Sequence, residues 1–327
     1  MDRFEIRTYE PADQTAVLHL LGSSLGWLPD DLHVQLFSWK HLESPFGTSP
    51  AWVAVVDGEV VGFRTFMRWE LLLDGTPVRA VRAVDTATHP DHRGRGIFAG
   101  LTAHGLRALR DDGVSFVFNT PNDQSRPGYL KLGWRPVRQV PVRARPRSLP
   151  ALSRMARART PADKWSRTTD LGRPAGPAFA DAAVIGPAVA VLAGRAARSG
   201  LATRSSPAFL RWRYGFEPLA YRAVWLDDGP PGGMLVVRLR RRGAAVEVAV
   251  CEELVPDGDA RRTKLLIRHV LDATGADYAV RVGDHLPAAG CVRLPRRGPI
   301  LVTRDLAGTG PVDGAEWHLG LGDLELF

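Results

Sequence analysis

Cysteine is nearly missing from this chain of 327 residues, which holds only Cys251 and Cys291. Two thiols in the second half make neither a disulfide framework nor a zinc-ligand spacing, and covalent catalysis by cysteine is not expected. No apolar run approaches the length needed to span a bilayer, and the opening Met1-Asp2-Arg3-Phe4-Glu5 has no apolar signal region. No membrane partner is therefore expected, and the cytoplasm is the default location. Lysine is scarce as well, confined to Lys40, Lys131, Lys164 and Lys264, so the net charge of +8 rests on arginine. Clustered basic residues can neutralise nucleic-acid phosphates. An arginine bias accompanied by abundant Ala, Gly and Pro reads better as the mark of a GC-rich coding sequence, and nucleic acid is the lesser reading for a partner. Composition says nothing of oligomeric state.

What is present, 45% hydrophobic and 24% charged residues, belongs to a globular protein long enough for two domains. Residues 3–8 read as a strand, and Pro11 to Leu21 has the apolar spacing of a helix that Gly22 should stop. A second helix is expected over Asp31 to Leu42. Asp57-Gly58, between two apolar runs, is the strongest hairpin signal in the chain, with Asp74-Gly75 as a further turn. A strand over Val78 to Thr88 leads into His89-Pro90-Asp91-His92-Arg93-Gly94-Arg95-Gly96-Ile97-Phe98, and a helix follows to about Arg110. A strand over Val114 to Asn119, a short helix around Gln124 to Leu132 and a strand region from Trp134 to Val142 complete a mixed sheet with helices on its faces.

The glycine-bearing loop between strand and helix fits an anion cradle. Two glycines let the backbone approach a ligand, and the first N–H groups of the following helix face a negative group that the macrodipole also favours. The same Gly-x-Gly is equally readable as a plain tight turn. A Walker motif is excluded because no Lys-Ser/Thr follows the glycines, and a dinucleotide fingerprint because its third glycine and later acidic residue are missing.

Between about Arg143 and Pro177 the chain turns rich in Arg, Pro, Ser and Ala, as a linker or crossover would. The elements after it repeat the order of the first half. Helices are expected over Asp181 to Arg195, Pro207 to Tyr214 and Asp259 to Ala273, and strands over Tyr221 to Leu226, Gly233 to Arg240, Ala245 to Glu252 and Tyr278 to Val282. Residues 254–262 then fall where residues 88–96 fall in the first copy, but Asp259, Ala260 and Arg262 stand in place of Arg93, Gly94 and Gly96. Side chains and a carboxylate there should oppose the approach of a diphosphate.

The order strand, Pro-x-x-Arg-Gly-x-Gly-Ile, helix, strand, then Asn122 through Tyr129-Leu130-Lys131-Leu132-Gly133-Trp134, resembles the GNAT superfamily of N-acetyltransferases over roughly residues 80 to 137. The fold implied is α/β with a mixed sheet: two tandem GNAT-like domains, each a mixed, mostly antiparallel sheet flanked by helices. Residues 1–145 would form the catalytic domain, 146–177 an Arg/Pro-rich linker and 178–327 a degenerate GNAT-like domain. The tandem arrangement is similar to bacterial acetyltransferases of the enhanced-intracellular-survival type, whose third domain has no counterpart in this sequence. The activity implied is acetyl-CoA-dependent transfer of acetyl to a primary amine of a small molecule. A non-catalytic acyl-CoA-binding or protein-interaction module is the alternative.

The resemblance also implies site residues. Arg93, Gly94, Arg95, Gly96, Ile97 and Phe98 would hold the coenzyme's pyrophosphate, with Phe98 departing from the Gly or Ala usual in the family. Thr86, Ala87 and Thr88 of the preceding strand and Asn122 would complete the acetyl-CoA site, and Tyr129 would protonate the departing thiolate. Asn119 could serve the pantetheine arm, although it does not match the motif. Candidates for the base are Asp85, which could equally be a partner for Arg82, the loop histidines His89 and His92, and the terminal carboxylate of Phe327. Arg211-Trp212-Arg213-Tyr214 reads either as a contact surface or as a solvated helix end with one packed aromatic.

Overall fold

The computed structural model describes residues 4–28, 30–196, 199–283, 287–308 and 314–324. The first half contains β1 (Glu5–Thr8), α1 (Gln14–Leu25), α2 (Asp31–His41), β2 (Ala51–Val56), β3 (Glu59–Leu73), β4 (Thr76–Thr88), α3 (Ile97–Asp111), β5 (Phe116–Asn119), α4 (Arg126–Lys131) and β6 (Arg135–Gln139). Next come β7 (Val142–Pro146), α5 (Leu149–Arg157), β8 (Arg173–Pro174), α6 (Ala175–Ala180), α7 (Ala182–Ala196), β9 (Leu201–Thr203) and α8 (Pro207–Gly215). The remainder is β10 (Arg222–Trp225), β11 (Met234–Arg242), β12 (Ala245–Leu254), α9 (Ala260–Thr274), β13 (Tyr278–Val282), β14 (Val292–Arg293), β15 (Ile300–Asp305), β16 (Trp317–His318) and α10 (Leu321–Leu324).

Two compact units result. One comprises Met1–Leu71, Pro77–Arg138 and Ile300–Ala315; the other comprises Leu72–Thr76, Gln139–Pro299 and Glu316–Phe327. The first carries a mixed sheet in the order β1-β2-β3-β4-β5-β15-β6, the second one in the order β14-β7-β13-β12-β11-β10-β8. β4 pairs with β5 in parallel, and β12 with β13 likewise. The pairs β1/β2, β2/β3, β10/β11 and β11/β12 are antiparallel.

These boundaries differ from those expected. Residues 146–177 are not a bare linker: α5 is capped by Ser148, whose side chain accepts from the Ala151 N–H, and β8 pairs with β10. The strand region after Trp134 divides into β6 of the first unit and β7 of the second, where β7 pairs with β13. In the other direction β15, from near the end of the chain, lies against β5 in the first unit.

Within the first unit, the apolar face of α3 (Ile97, Leu101, Leu106, Leu109) packs on Trp52, Phe66, Val81 and Val117 of the sheet. Each such side chain, fully buried, contributes about 1.5–3 kcal/mol. The helix sits unusually low because Gly105 faces Phe66 and Trp52, whose rings a Cβ would meet at 2.8 and 2.9 Å. Asp57 and Gly58 have φ of 50° and 84°, as the type I′ turn requires. Gly22 does not end α1, which continues to Leu25 and stops at the left-handed Gly26. A Cβ on Gly22 would stand 2.7 Å from the Trp27 carbonyl oxygen, so this glycine serves a close approach rather than a stop.

Candidate active site

The cradle lies where β4 hands over to α3. After a single 3-10 turn at Pro90–His92, Gly94 and Gly96 take φ of 76° and 83°, the left-handed region that side chains resist. Gly96 is the N-cap of α3 and supplies no side chain to its first N–H groups. A Cβ at either glycine would meet no protein atom within 4 Å, so the space over this helix end is open. Arg93, Gly94, Arg95 and Gly96 are exposed, while Ile97 is buried in the core. The Arg95 guanidinium donates to the Asp91 carbonyl at 3.2 Å. Phe98 turns inward, its ring 5.7 Å from that of Tyr129 in an edge-on packing, which explains how a bulky residue is accommodated at this position.

Beside the cradle the sheet opens. The parallel ladder pairs Ala80, Val81 and Arg82 with Phe116, Val117 and Phe118 and ends there, while β4 continues through Thr86, Ala87 and Thr88. On its other side β4 stays tied to β3: Thr86 Oγ1 donates to the Phe63 carbonyl at 3.1 Å and the His89 N–H to the Val61 carbonyl at 2.8 Å. At the end of β5 lies Asn119, buried, with its Oδ1 accepting no hydrogen bond. Asn122, by contrast, is exposed and spends its Oδ1 on the Ser125 N–H and Oγ, both at 2.9 Å. The Asn122 carbonyl caps the turn into α4. Asn119 is thus the asparagine whose carbonyl remains available beside the opening.

Tyr129 is 3% exposed, with its ring against Trp134 and its hydroxyl oxygen accepting from Arg64 Nη1 at 2.8 Å. Arg64, at the centre of β3, carries no solvent exposure at all.

Asp85 departs from its expected role as base. Its φ of 38° breaks the regular course of β4, and its carboxylate is held by Lys40 Nζ at 2.7 Å and His41 Nε2 at 2.8 Å. Burial opposes the charge, yet Lys40 and His41 together outweigh it and bring the carboxyl down to about 2. A carboxylate so held is a poor proton acceptor. Burial pushes the His41 imidazole below its ordinary value despite Asp85, and its Nδ1 lies 3.1 Å from Ser49 Oγ. Asp85 therefore anchors α2 to β4. His89 and His92 stack edge-on in the loop, and His89 Nδ1 accepts from the Asp91 N–H at 3.4 Å. Phe327 falls outside the described residues. Among those residues no group of three or more His, Cys, Asp or Glu could hold a metal.

The second unit repeats the strand-to-helix turn but closes it. Asp259 caps α9, accepting from the Arg261 N–H at 2.7 Å and the Arg262 N–H at 3.2 Å. A carboxylate occupying the helix N-terminus is the feature that most opposes a diphosphate there. Asp259→Ala is expected to destabilise this unit by about 1 kcal/mol in denaturant unfolding. This unit also has a cavity of about 70 Å³ lined by, among others, Arg195, Glu252, Glu253 and Asp323. Its charges are paired internally: Arg195 meets Glu252 at 2.7 Å and Arg281 meets Glu253 at 2.5 Å. The cluster at 211–214 is no solvated helix end. Trp212, Arg213 and Tyr214 are buried, and Arg213 donates to the Tyr221 hydroxyl at 2.7 Å. Both cysteines are buried, which pushes their thiols up and away from reactivity.

Residues 5–137 match the family model described as "Acetyltransferase (GNAT) domain". Solved structures with the same fold include a probable N-acyltransferase of Enterococcus faecalis V583, with a TM-score of 0.65 and 12% identity, covering 93% of this chain and 73% of its own. A GCN5-related N-acetyltransferase of Kribbella flavida gives 0.64 and 15%, with coverages of 93% and 72%. Eis1 of Mycobacterium abscessus gives 0.55 and 17%, with 93% and 74%. At such identities the likeness is one of fold, and it extends over both halves of the chain. No curated protein sequence matches it.

Proposed function

We propose that the chain, whose residues 5–137 match a GNAT acetyltransferase domain, transfers acetyl from acetyl-CoA directly to a primary amine of a small molecule. The observation that carries this reading is the uncapped, glycine-opened start of α3 beside the point where β4 and β5 part, with the Tyr129 hydroxyl in the same half of the fold. When bound, acetyl-CoA supplies an activated thioester. The backbone of residues 93–98 would grip its diphosphate, aided by the Arg93 and Arg95 charges. Thr86, Ala87 and Thr88 offer strand backbone on the side that β5 has left, and Asn119 Oδ1 a buried acceptor for an amide N–H of the pantetheine arm. Tyr129 would give its proton to the departing sulfur. The second unit, its own cradle closed by Asp259, would shape the surroundings rather than bind a second coenzyme.

Calorimetry with acetyl-CoA tests the cradle. Gly96→Val should raise Kd by ~10-fold or more, because a β-branched residue resists φ near 83° and its side chain projects into the space reserved for phosphate. No protein atom stands where that side chain would go, so the fold should survive. Absence of any binding heat with the unaltered protein would end the proposal. Incubation with acetyl-CoA and a panel of primary amines, following thiol release, then identifies the acceptor class. A second reading, a module that binds acyl-CoA without turnover, draws on one observation: Lys40 and His41 tie up the Asp85 carboxylate.

A further inference from the structure

Among the described residues, Arg64 is a buried cation without a counter-ion. Among them no carboxylate lies within ion-pair distance of it, whereas the equally buried Arg281 is paired with Glu253. Its Nη1 donates to Tyr129 Oη at 2.8 Å, while Nε and Nη2 are buried with no hydrogen-bond partner. Three aromatic rings surround the guanidinium: Phe66 at 4.4 Å, Tyr129 at 5.2 Å and Phe98 at 5.6 Å. Cation–π attraction offsets part of the desolvation, but a guanidinium cannot escape the rest by losing its proton. A methionine or leucine would fill the same core space more stably. Placing an arginine there makes sense if a negative charge arises next to it during the reaction.

We propose that Arg64 is the positioning residue that makes Tyr129 a proton donor, an inference that rests on the acid role given to Tyr129 above. A guanidinium only donates, so the Tyr129 oxygen must accept from it. The hydroxyl proton is thereby turned away from Arg64, toward whatever acceptor enters the opening between β4 and β5. The amine nitrogen bonds to the thioester carbonyl carbon and gives up a proton to solvent; as the carbon–sulfur bond breaks, its electron pair stays on sulfur and the Tyr129 proton moves to that sulfur. The phenolate left behind carries the charge that Arg64 faces at hydrogen-bond distance, with Nε and Nη2 as further donors close by, until solvent returns a proton. The cation also pre-pays the cost of orienting the hydroxyl.

The test compares two acetyl donors, acetyl-CoA and the acetyl thioester of an acidic arylthiol whose anion departs unprotonated. Arg64→Met, which fills the core without charge, should lower kcat with acetyl-CoA by ~100-fold and leave its KM within about twofold. With the arylthiol ester the deficit in kcat/KM should shrink to about threefold or less. Tyr129→Phe should show the same donor dependence, and the double variant should be no slower than Tyr129→Phe alone, since the two residues act as one unit. Arg64→Lys, which keeps a donor and a charge, should recover at least ~10-fold of the loss and serves if Arg64→Met does not fold. A rate unaffected by Arg64→Met, or an Arg64→Lys enzyme as slow as Arg64→Met, while Tyr129→Phe is slow, overturns the role of Arg64 alone. A Tyr129→Phe enzyme as fast as the unaltered one removes the acid reading and this inference with it. Equal losses with both donors would make Arg64 a packing residue and overturn the proposal.

Discussion

Tyr129→Phe is expected to lower kcat by ~10²–10⁴ while the affinity for acetyl-CoA stays within about twofold. The substitution removes one oxygen from a ring held by Phe98 and Trp134, so the packing around it should survive. What changes is electrostatic. Arg64 Nη1 loses its hydrogen-bond acceptor, and a buried charged donor left bare costs about 1–3 kcal/mol of stability. The melting temperature should therefore fall with the rate, and kinetics must be measured well below the new transition. Binding should be spared because the cradle at residues 93–98 owes its form to backbone and glycine conformation, not to Tyr129. Thiol release on mixing with acetyl-CoA and an accepted amine measures kcat, and calorimetry measures affinity. A variant with full turnover would leave only the non-catalytic reading standing.

The cradle was legible because everything that makes it is contiguous: a strand, two glycines and an amphipathic helix within some twenty residues. The same locality made the turn at Asp57-Gly58 readable, and the presence of a carboxylate at the start of the second unit's helix, although not that Asp259 caps it. Locality also misled. Gly22 looks like a helix stop by its type, but it lies where α1 passes under the Trp27 carbonyl, a contact that no local rule reveals. The Pro- and Arg-rich composition of 146–177 leaves a linker and a partly helical crossover open, and only the coordinates show that Ser148 starts a helix there and Arg173 joins a strand. Pairing across long separations was invisible: β15 against β5, Arg64 against Tyr129, and Lys40 and His41 against Asp85. A lone lysine in an arginine-dominated chain was the one available hint of the last. Asn119 and Asn122 could not be told apart from sequence, because burial, which periodicity gives only for whole faces, decides that the Asn122 side chain bonds to Ser125 while the Asn119 Oδ1 accepts no hydrogen bond among the described residues.

Asp85→Asn should cost about 3–5 kcal/mol of stability at neutral pH, the largest loss expected from any single substitution in the first unit. Lys40 is fully buried, and removing the carboxylate leaves its charge uncompensated in the interior. Asparagine tolerates positive φ nearly as well as aspartate, so the 38° conformation survives the change and the charge is isolated as the cause. Acid titration supplies the second half of the argument. The carboxyl sits at about 2 when folded, against 3.8 as its ordinary value. A depressed folded value stabilises the protein in full above 3.8, and that contribution, about 2 kcal/mol, drains away as pH falls toward 2. The gap between the two proteins should therefore narrow by about that amount between pH 5 and pH 2 in denaturant unfolding. His41 adds a separate, earlier loss in the unaltered protein, because burial holds its imidazole below 6.5 and the unfolded chain takes up that proton first as pH drops. A stability difference that stays flat from pH 5 to pH 2 would mean that Asp85 is not the ionised partner of Lys40.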